Sequence, residues 1–141
     1  MTTQPTTEVV DFLKEHRLCV FATGRKDGSP QQSLIGYQFD GKEMLLGGQA
    51  TSFKMRNLRR QPRCSMAVID GRRVLLVYGR AELVEDEAAM AKLQERFGPR
   101  EGPPRPQGGE VAAPPRPPRP MGRRVSILFT PEKYIAERMG G

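Results

Sequence analysis

Residues 51–63 carry five cationic side chains and no acidic one. The five are Lys54, Arg56, Arg59, Arg60 and Arg63. The stretch opens with Thr51 and Ser52, two hydroxyl residues of the kind that cap the first turn of a helix. A helix that begins here would point its free N–H groups and the positive end of its dipole outward. Together with Lys54, these donors predict a site for a phosphate group.

The same residues also have a purely structural interpretation, namely a capped surface helix whose charges are solvated. The spacing alone leaves both interpretations open. An arginine of this stretch could hold a further phosphate or a carboxylate in bidentate fashion. Solvation, or pairing with a second subunit, explains Arg59, Arg60 and Arg63 equally well.

The segments around this basic helix read mostly as short strands. Alternating or continuous apolar patterns predict strands at 18–23, 31–39, 43–46, 64–69, 74–84 and 124–129, with 132–136 as a candidate continuation after Pro131. Asp-Gly pairs at 27–28, 40–41 and 70–71 predict tight turns between them. Apolar residues at helical spacing predict helices at 8–17 and 85–97. Gly79, inside a strand, predicts a bulge or a close backbone approach.

This order of elements predicts a mainly β protein with peripheral helices, built as an antiparallel barrel of six or so strands. Helices do not alternate with the strands, which argues against a doubly wound parallel sheet. The sequence has no Gly-x-Gly-x-x-Gly or Walker-type motif, so the common nucleotide-binding folds are disfavoured.

Length and composition limit the class of protein further. A chain of 141 residues with 37% apolar residues predicts one domain, spanning 1–141. It has no apolar run that could cross a membrane and no secretion signal, and Cys19 and Cys64 form no Cys-x-x-Cys pair. We therefore expect a cytoplasmic protein with free cysteines in its core. The single histidine, His16, is expected to end a helix rather than to bind metal.

Residues 98–122 contain nine of the thirteen prolines of the chain, and predict a flexible Pro/Arg-rich loop insertion. The net charge of +7 suggests a nucleic-acid binder. However, residues 98–124 hold six arginines against two glutamates, so much of the excess lies in this loop. The basic helix also lacks interleaved aromatic residues for stacking on single strands. Nucleic-acid binding is therefore the weaker hypothesis.

Residues 50–68 resemble the helix and following strand of the pyridoxamine-phosphate-oxidase-like split-barrel family. A Ser/Thr-rich turn leads to Lys54, then to Asn57-Leu58, then to Pro62-Arg63 and an apolar strand. Residues 18–31 are similar to the opening hairpin of that family, 79–84 to its Gly-x-Ala-x-hydrophobic strand, and 124–134 to its closing strand. The resemblance covers about residues 8–97 and 123–136.

The resemblance implies a homodimer of split β-barrels that binds FMN or the deazaflavin coenzyme F-420 between its subunits. Lys54 would hold the cofactor phosphate, helped by Thr51 and Ser52 and by Arg56 or Asn57. The strand that contains Gln32, Ser33 and Leu34 would line the ring. The brief Lys-Met-Arg-Asn-Leu form favours the F-420 branch. No residue set for a substrate phosphate is found, which argues against vitamin B6 oxidation.

Three functions follow as hypotheses. The first is an oxidoreductase in which the cofactor exchanges hydride with a small organic substrate, with no catalytic residue assigned. The second is a protein that binds or carries a flavin or deazaflavin without turnover, and the third is a nucleic-acid binder. Only the third predicts an affinity that falls steeply with salt.

Overall fold

The computed structural model describes residues 4–99 and 123–137, so the predicted loop at 98–122 lies outside the described residues except for its first two positions. Three helices and seven strands occupy the described ranges. They are α1 (Thr7–Glu15), β1 (Leu18–Gly24), β2 (Pro30–Gly36), β3 (Gln38–Phe39), β4 (Met44–Gln49), α2 (Phe53–Arg60), β5 (Arg63–Asp70), β6 (Arg73–Val84), α3 (Glu87–Phe97) and β7 (Arg124–Glu137). None of these helices is long and apolar enough to cross a membrane.

The strands form one antiparallel sheet in the order β2-β1-β5-β6-β7-β4-β3. Its two edge strands, β2 and β3, are consecutive in sequence and are separated only by Tyr37. The sheet must therefore curl until its edges meet, and it encloses a core that includes Phe21, Met66, Ile127 and Phe129. The predicted mainly β, antiparallel split barrel is confirmed, with seven strands.

Tyr37 explains why the single strand predicted at 31–39 is two strands. Its backbone N–H donates to the carbonyl of Arg17, and its hydroxyl donates to the carbonyl of Leu13 over 2.7 Å. The first bond extends the register of β1 with β2, and the second leaves the ladder and ties the chain to α1. The predicted alternation of faces along β2 is confirmed, since Gln32 and Leu34 are exposed while Tyr37 is buried.

The pairing of β6 with β7 contains the predicted irregularity at Gly79. The register shifts between Tyr78, which pairs with Lys133, and Gly79, which pairs with Pro131. A side chain on Gly79 would lie 2.1 Å from the carbonyl oxygen of Thr130, so the two backbones approach too closely for any Cβ. Pro131 is tolerated because β4 pairs with β7 only up to Phe129, which leaves a free edge beyond.

Both cysteines lie unpaired in the core, as expected from the sequence. Burial raises the pKa of Cys19 to about 12, and burial also raises the pKa of Cys64 to about 12. The two thiols are therefore neutral at physiological pH and behave as small apolar groups.

Helix α3 begins two residues later than the sequence predicts. Asp86 caps it by accepting a hydrogen bond of 2.9 Å from the N–H of Ala89. No residue of α3 is fully buried, although Leu93 and Phe97 are half-buried. The apolar stripe of this helix therefore leans on the barrel without entering its core.

Candidate functional site

Helix α2 is held on the barrel by its buried side chains Met55, Asn57 and Leu58. It follows β4 after a short turn and ends before Pro62, as predicted. Ser52 occupies the N-cap position, but its side chain accepts no hydrogen bond from the first turn, so the expected side-chain cap is not formed. Its hydroxyl oxygen is buried and has no hydrogen-bond partner in the part of the chain that the structure describes. A buried hydroxyl without a hydrogen-bond partner is energetically unfavourable, and a ligand that bonds to it would remove this penalty.

Lys54 lies across Gly48 of β4 at this end of the helix. Its Nζ atom is 2.7 Å from the point where a Cβ on Gly48 would lie, so any side chain at this position would displace the end of Lys54 from where it now lies. Lys54 is half-buried, and no hydrogen bond or ion pair to it is formed within residues 4–99 and 123–137. Burial lowers the pKa of Lys54, and the positive charge of Arg124 lowers it further. An anion placed here would relieve both effects.

The surroundings of this lysine carry a cationic excess. Arg59 and Arg123 both bind Glu85, over 3.2 Å and 2.6 Å, so one carboxylate serves two guanidinium groups. Both arginines also adjoin Ala50, the residue before Thr51: Arg59 donates to its carbonyl, and the carbonyl of Arg123 accepts from its N–H. This group of charges attracts anions to the start of α2.

The other residues predicted on α2 and before it take different positions. Thr51 is exposed at the turn. Arg56 is exposed, and its guanidinium lies 6.0 Å from the ring centroid of Phe53. Asn57 is buried, and its amide donates to the hydroxyl of Thr23 over 3.0 Å, on the side of the helix that faces the barrel. Ser52 and Lys54 thus have no side-chain hydrogen-bond partner in the described residues, whereas Asn57 has a contact inside the fold.

The residues predicted to line a ring lie on β2, at the edge of the sheet. Gln32 and Leu34 are on its outer face, where Leu34 is 71% exposed. Ser33 is on the opposite face, and its hydroxyl accepts a hydrogen bond of 2.8 Å from Gln31. In the described residues, no hydrogen bond connects Gln32 or Leu34 to α2 directly.

The outer face of the sheet is apolar over four strands. Val20 pairs with Leu34 on one side and with Ala67 on the other, and Ala67 pairs with Leu76. The next row along the strands is Gln32, Ala22, Ser65 and Tyr78, the last of which is 43% exposed. A groove of about 180 Å³ runs between Gln32 and Tyr78. We call this surface, formed by Leu34, Val20, Ala67, Leu76 and Tyr78, the outer face.

Three of these features are not predicted from the sequence. Arg124 reads only as the first residue of a strand, and its nearness to Lys54 depends on the pairing of β7 with β4. Gly48 carries a detectable signal, since a glycine inside a strand often marks a close approach. The outer face has a weaker signal, because Val20, Ala67 and Leu76 look like core residues in sequence.

His16 ends α1, as expected. Its Nδ1 lies 2.7 Å from the carbonyl oxygen of Phe12, and its Nε2 lies 3.1 Å from a carboxylate oxygen of Asp70. Neither contact involves a residue of the basic helix. The histidine therefore ties α1 to the turn between β5 and β6.

Comparison with known proteins agrees with this architecture and gives it a family. The family model described as pyridoxamine 5'-phosphate oxidase matches residues 5–136. An F-420H(2)-dependent biliverdin reductase of Mycobacterium tuberculosis (strain CDC 1551 / Oshkosh) is 31% identical over 112 residues, which are 78% of this chain and 82% of the relative.

Solved structures give the same result. An F-420 reductase is 28% identical with a TM-score of 0.60, over 89% of this chain and 94% of that chain. A conserved hypothetical protein of Mycobacterium tuberculosis is also 28% identical, with a TM-score of 0.67 over 96% of this chain and 87% of that chain.

Proposed function

This chain belongs to the pyridoxamine 5'-phosphate oxidase family, and from that membership we propose that it is an oxidoreductase that binds F-420 or FMN at the start of α2. The observation that carries the proposal is the half-buried Lys54, which lies beside Arg124 and has no carboxylate partner in the described residues. Relatives named for F-420-dependent reduction support the reaction class.

The residues at this site fit a phosphate. The buried Ser52 hydroxyl has a hydrogen bond to give, and the first N–H groups of α2 are not used by a side-chain cap. Gly48 leaves the space in which Lys54 lies. A phosphate accepts hydrogen bonds from all these donors at once and neutralises the local positive charge.

When bound, the cofactor ring supplies the hydride chemistry, and the protein supplies position and electrostatics. Lys54, Ser52 and the N–H groups of α2 would hold the phosphate end, with Thr51 and Arg56 at its exposed side. Gln32 and Leu34 would contact the ring from β2, with Ser33 supporting that strand from the other face. A fixed ring stacked against a substrate lowers the entropic part of the barrier to hydride transfer.

F-420 is the favoured cofactor of the two. Two of the relatives carry F-420 in their names, and the arginines around Glu85 could bind anionic groups beyond one phosphate. The substrate class that we propose is a small conjugated organic molecule, with the biliverdin named for the relative as the first compound to try.

The test is a side-by-side titration of the apo-protein with F-420 and with FMN, followed by turnover assays with reduced cofactor and with biliverdin or a quinone. We expect micromolar or tighter binding of one cofactor and its oxidation by an acceptor. Tight binding without turnover on any acceptor would support a carrier instead. Binding of neither cofactor would contradict the proposal, and salt-sensitive binding of nucleic acid would replace it.

We also propose that the protein is a homodimer that pairs through the outer face. Leu34 of this surface is 71% exposed, and Ile69, two residues beyond Ala67 on the same side of β5, is 58% exposed. Continuous apolar patches of this kind usually mark an interface. Gln32 and Leu34 belong to the rows of the outer face, so a ring that contacts them would lie between two subunits. A second subunit would also exclude water from that ring.

Ala67→Arg is expected to convert the dimer to a monomer, because it puts a charge into the centre of the outer face without entering the core. Light scattering after gel filtration measures the mass of each species. Lys92→Glu, a larger charge change on the exposed side of α3, should leave the dimer intact. A monomeric Ala67→Arg protein that still binds cofactor with the affinity of the wild type would contradict the interfacial site.

A further inference from the structure

Three side chains form a hydrogen-bond chain that runs from α2 across β1 to β2. The amide of Asn57 donates to the hydroxyl of Thr23 over 3.0 Å, and that hydroxyl donates to the side-chain carbonyl of Gln31 over 2.7 Å. The amide nitrogen of Gln31 then donates to the hydroxyl of Ser33 over 2.8 Å and to the backbone carbonyl of Gln32 over 3.0 Å.

The direction of this chain is fixed by the chemistry of its members. The backbone carbonyl of Gln32 can only accept, so the Gln31 amide places its nitrogen toward Gln32 and its oxygen toward Thr23. The Thr23 hydroxyl therefore donates to Gln31 and accepts from the amide nitrogen of Asn57. Both N–H bonds of the Gln31 amide are then used on β2. Thr23 and Asn57 are 4% and 7% exposed, so water does not compete with these bonds. Bonds aligned in one direction in a buried setting strengthen one another.

The two ends of the chain belong to the two halves of the proposed cofactor site. Asn57 lies one turn along the helix from Lys54, and Gln31 holds the carbonyl of Gln32 on the strand proposed to line the ring. We propose that Asn57, Thr23 and Gln31 are positioning residues that set the distance between the phosphate site and the ring site. This inference rests on the function proposed above.

The reason to expect a functional effect is the geometry of two-point binding. A cofactor held at both ends gains affinity only if the two subsites stay at the spacing of the molecule. Another tie, from the guanidinium of Arg60 to the carbonyl of Gly24, also joins α2 to β1, but it does not continue to β2. Loss of the bond between Arg60 and Gly24 would weaken the attachment of α2 to β1, but the hydrogen bonds from Asn57 through Thr23 and Gln31 to β2 would remain.

The experiment measures dissociation constants for FMN and riboflavin, and for F-420 and its phosphate-free deazaflavin headgroup, in four variants and the wild type. In the wild type, the phosphate should improve binding by about 30-fold or more. We call this improvement, the dissociation constant of the phosphate-free ligand divided by that of the phosphate-bearing one, the ratio. Thr23→Val, which replaces the hydroxyl by a methyl group, should reduce the ratio to less than about 5-fold. Affinity for the phosphate-free ligand should change by less than about 3-fold.

Thr23→Ser restores the hydroxyl and should restore the ratio. Gln31→Met removes the hydrogen bonds that Gln31 makes to Thr23 and to β2. Gln31 is half-exposed on an edge strand, so this variant tests the same idea if Thr23→Val folds poorly. Arg60→Met is the matched control, expected to lower stability in urea but to keep the ratio. A ratio that stays unchanged in both Thr23→Val and Gln31→Met would overturn the inference alone. A wild type that binds neither cofactor would overturn the proposed function with it.

Discussion

Lys54→Met is expected to weaken binding of F-420 or FMN by about 30- to 150-fold. A charged hydrogen bond to a phosphate in a partly buried site contributes roughly 2–3 kcal/mol, and each 1.4 kcal/mol is about tenfold in affinity. Methionine keeps most of the apolar stem that lies across Gly48, so packing of the helix should survive. Fluorescence or absorbance titration of the bound ring measures the effect.

The control for this substitution is Lys92→Met, which removes a lysine from the exposed side of α3 and should leave the dissociation constant unchanged. Riboflavin, which lacks the phosphate, should bind Lys54→Met and wild type alike. If both ligands weakened in parallel, the lysine would be acting on the fold or on the ring rather than on the phosphate.

The same lysine should give the binding a dependence on alkaline pH. Burial and the charge of Arg124 lower the pKa of Lys54 in the free protein. Its ammonium group therefore begins to lose its proton at a lower pH than that of an ordinary lysine. Phosphate binds the charged form, so affinity is fully present below this lowered pKa and declines as the pH rises through it. Lys54→Met should not show this decline, and an identical decline in both proteins would assign it to another group.

Gly79→Ala is expected to destabilise the fold by roughly 3 kcal/mol, at the upper end of what overpacking costs. The new Cβ would lie 2.1 Å from the carbonyl oxygen of Thr130 and 3.0 Å from Cα of Pro131, and both atoms belong to backbone that cannot rotate away. The pairing of β6 with β7 must therefore separate or slide at the bulge. We expect Tm to fall by roughly 10 °C.

Gly24→Ala provides the comparison, since nothing lies within 4 Å of the position of its Cβ. It lies in β1 and needs no positive φ, so the change should alter stability by less than about 0.5 kcal/mol and can even stabilise by restricting the unfolded chain. Urea denaturation of the two variants side by side decides the matter. Equal urea midpoints for Gly79→Ala and Gly24→Ala would contradict the prediction, because they would mean that the β6–β7 pairing can adjust to the new Cβ at little energetic cost.

Much of this fold is predictable because local chemistry decides it. The Asp27-Gly28 turn forms as the sequence predicts: Gly28 has φ of +90° and the Asp27 carboxylate accepts hydrogen bonds from Ser29. The alternation of exposed and half-buried side chains along β2 and the irregularity at Gly79 likewise follow from the types of the residues at those positions. Features that depend on one residue and its immediate neighbours are the ones that sequence reasoning recovers.

The differences arise where distant residues compete for the same groups. The strand at 31–39 divides because Tyr37 bonds to α1, more than twenty positions away. Ser52 has the right type for a cap, yet its buried hydroxyl accepts no hydrogen bond from the first turn of α2. The family resemblance implies Arg56 or Asn57 beside the phosphate, and in the structure the side-chain amide of Asn57 donates to the hydroxyl of Thr23. None of these partners is visible from the local pattern.

The position of β7 in the sheet has a consequence for biosynthesis. The strand pairs with β6 on one side and with β4 on the other, and these two pairings join the β2-β1-β5-β6 portion to the β4-β3 portion. On the ribosome, both portions emerge before residues 124–137 are made, and neither has its permanent neighbour. The edges of β6 and β4 therefore stay open to pairing with other chains until β7 is added, and the addition of this strand covers both edges.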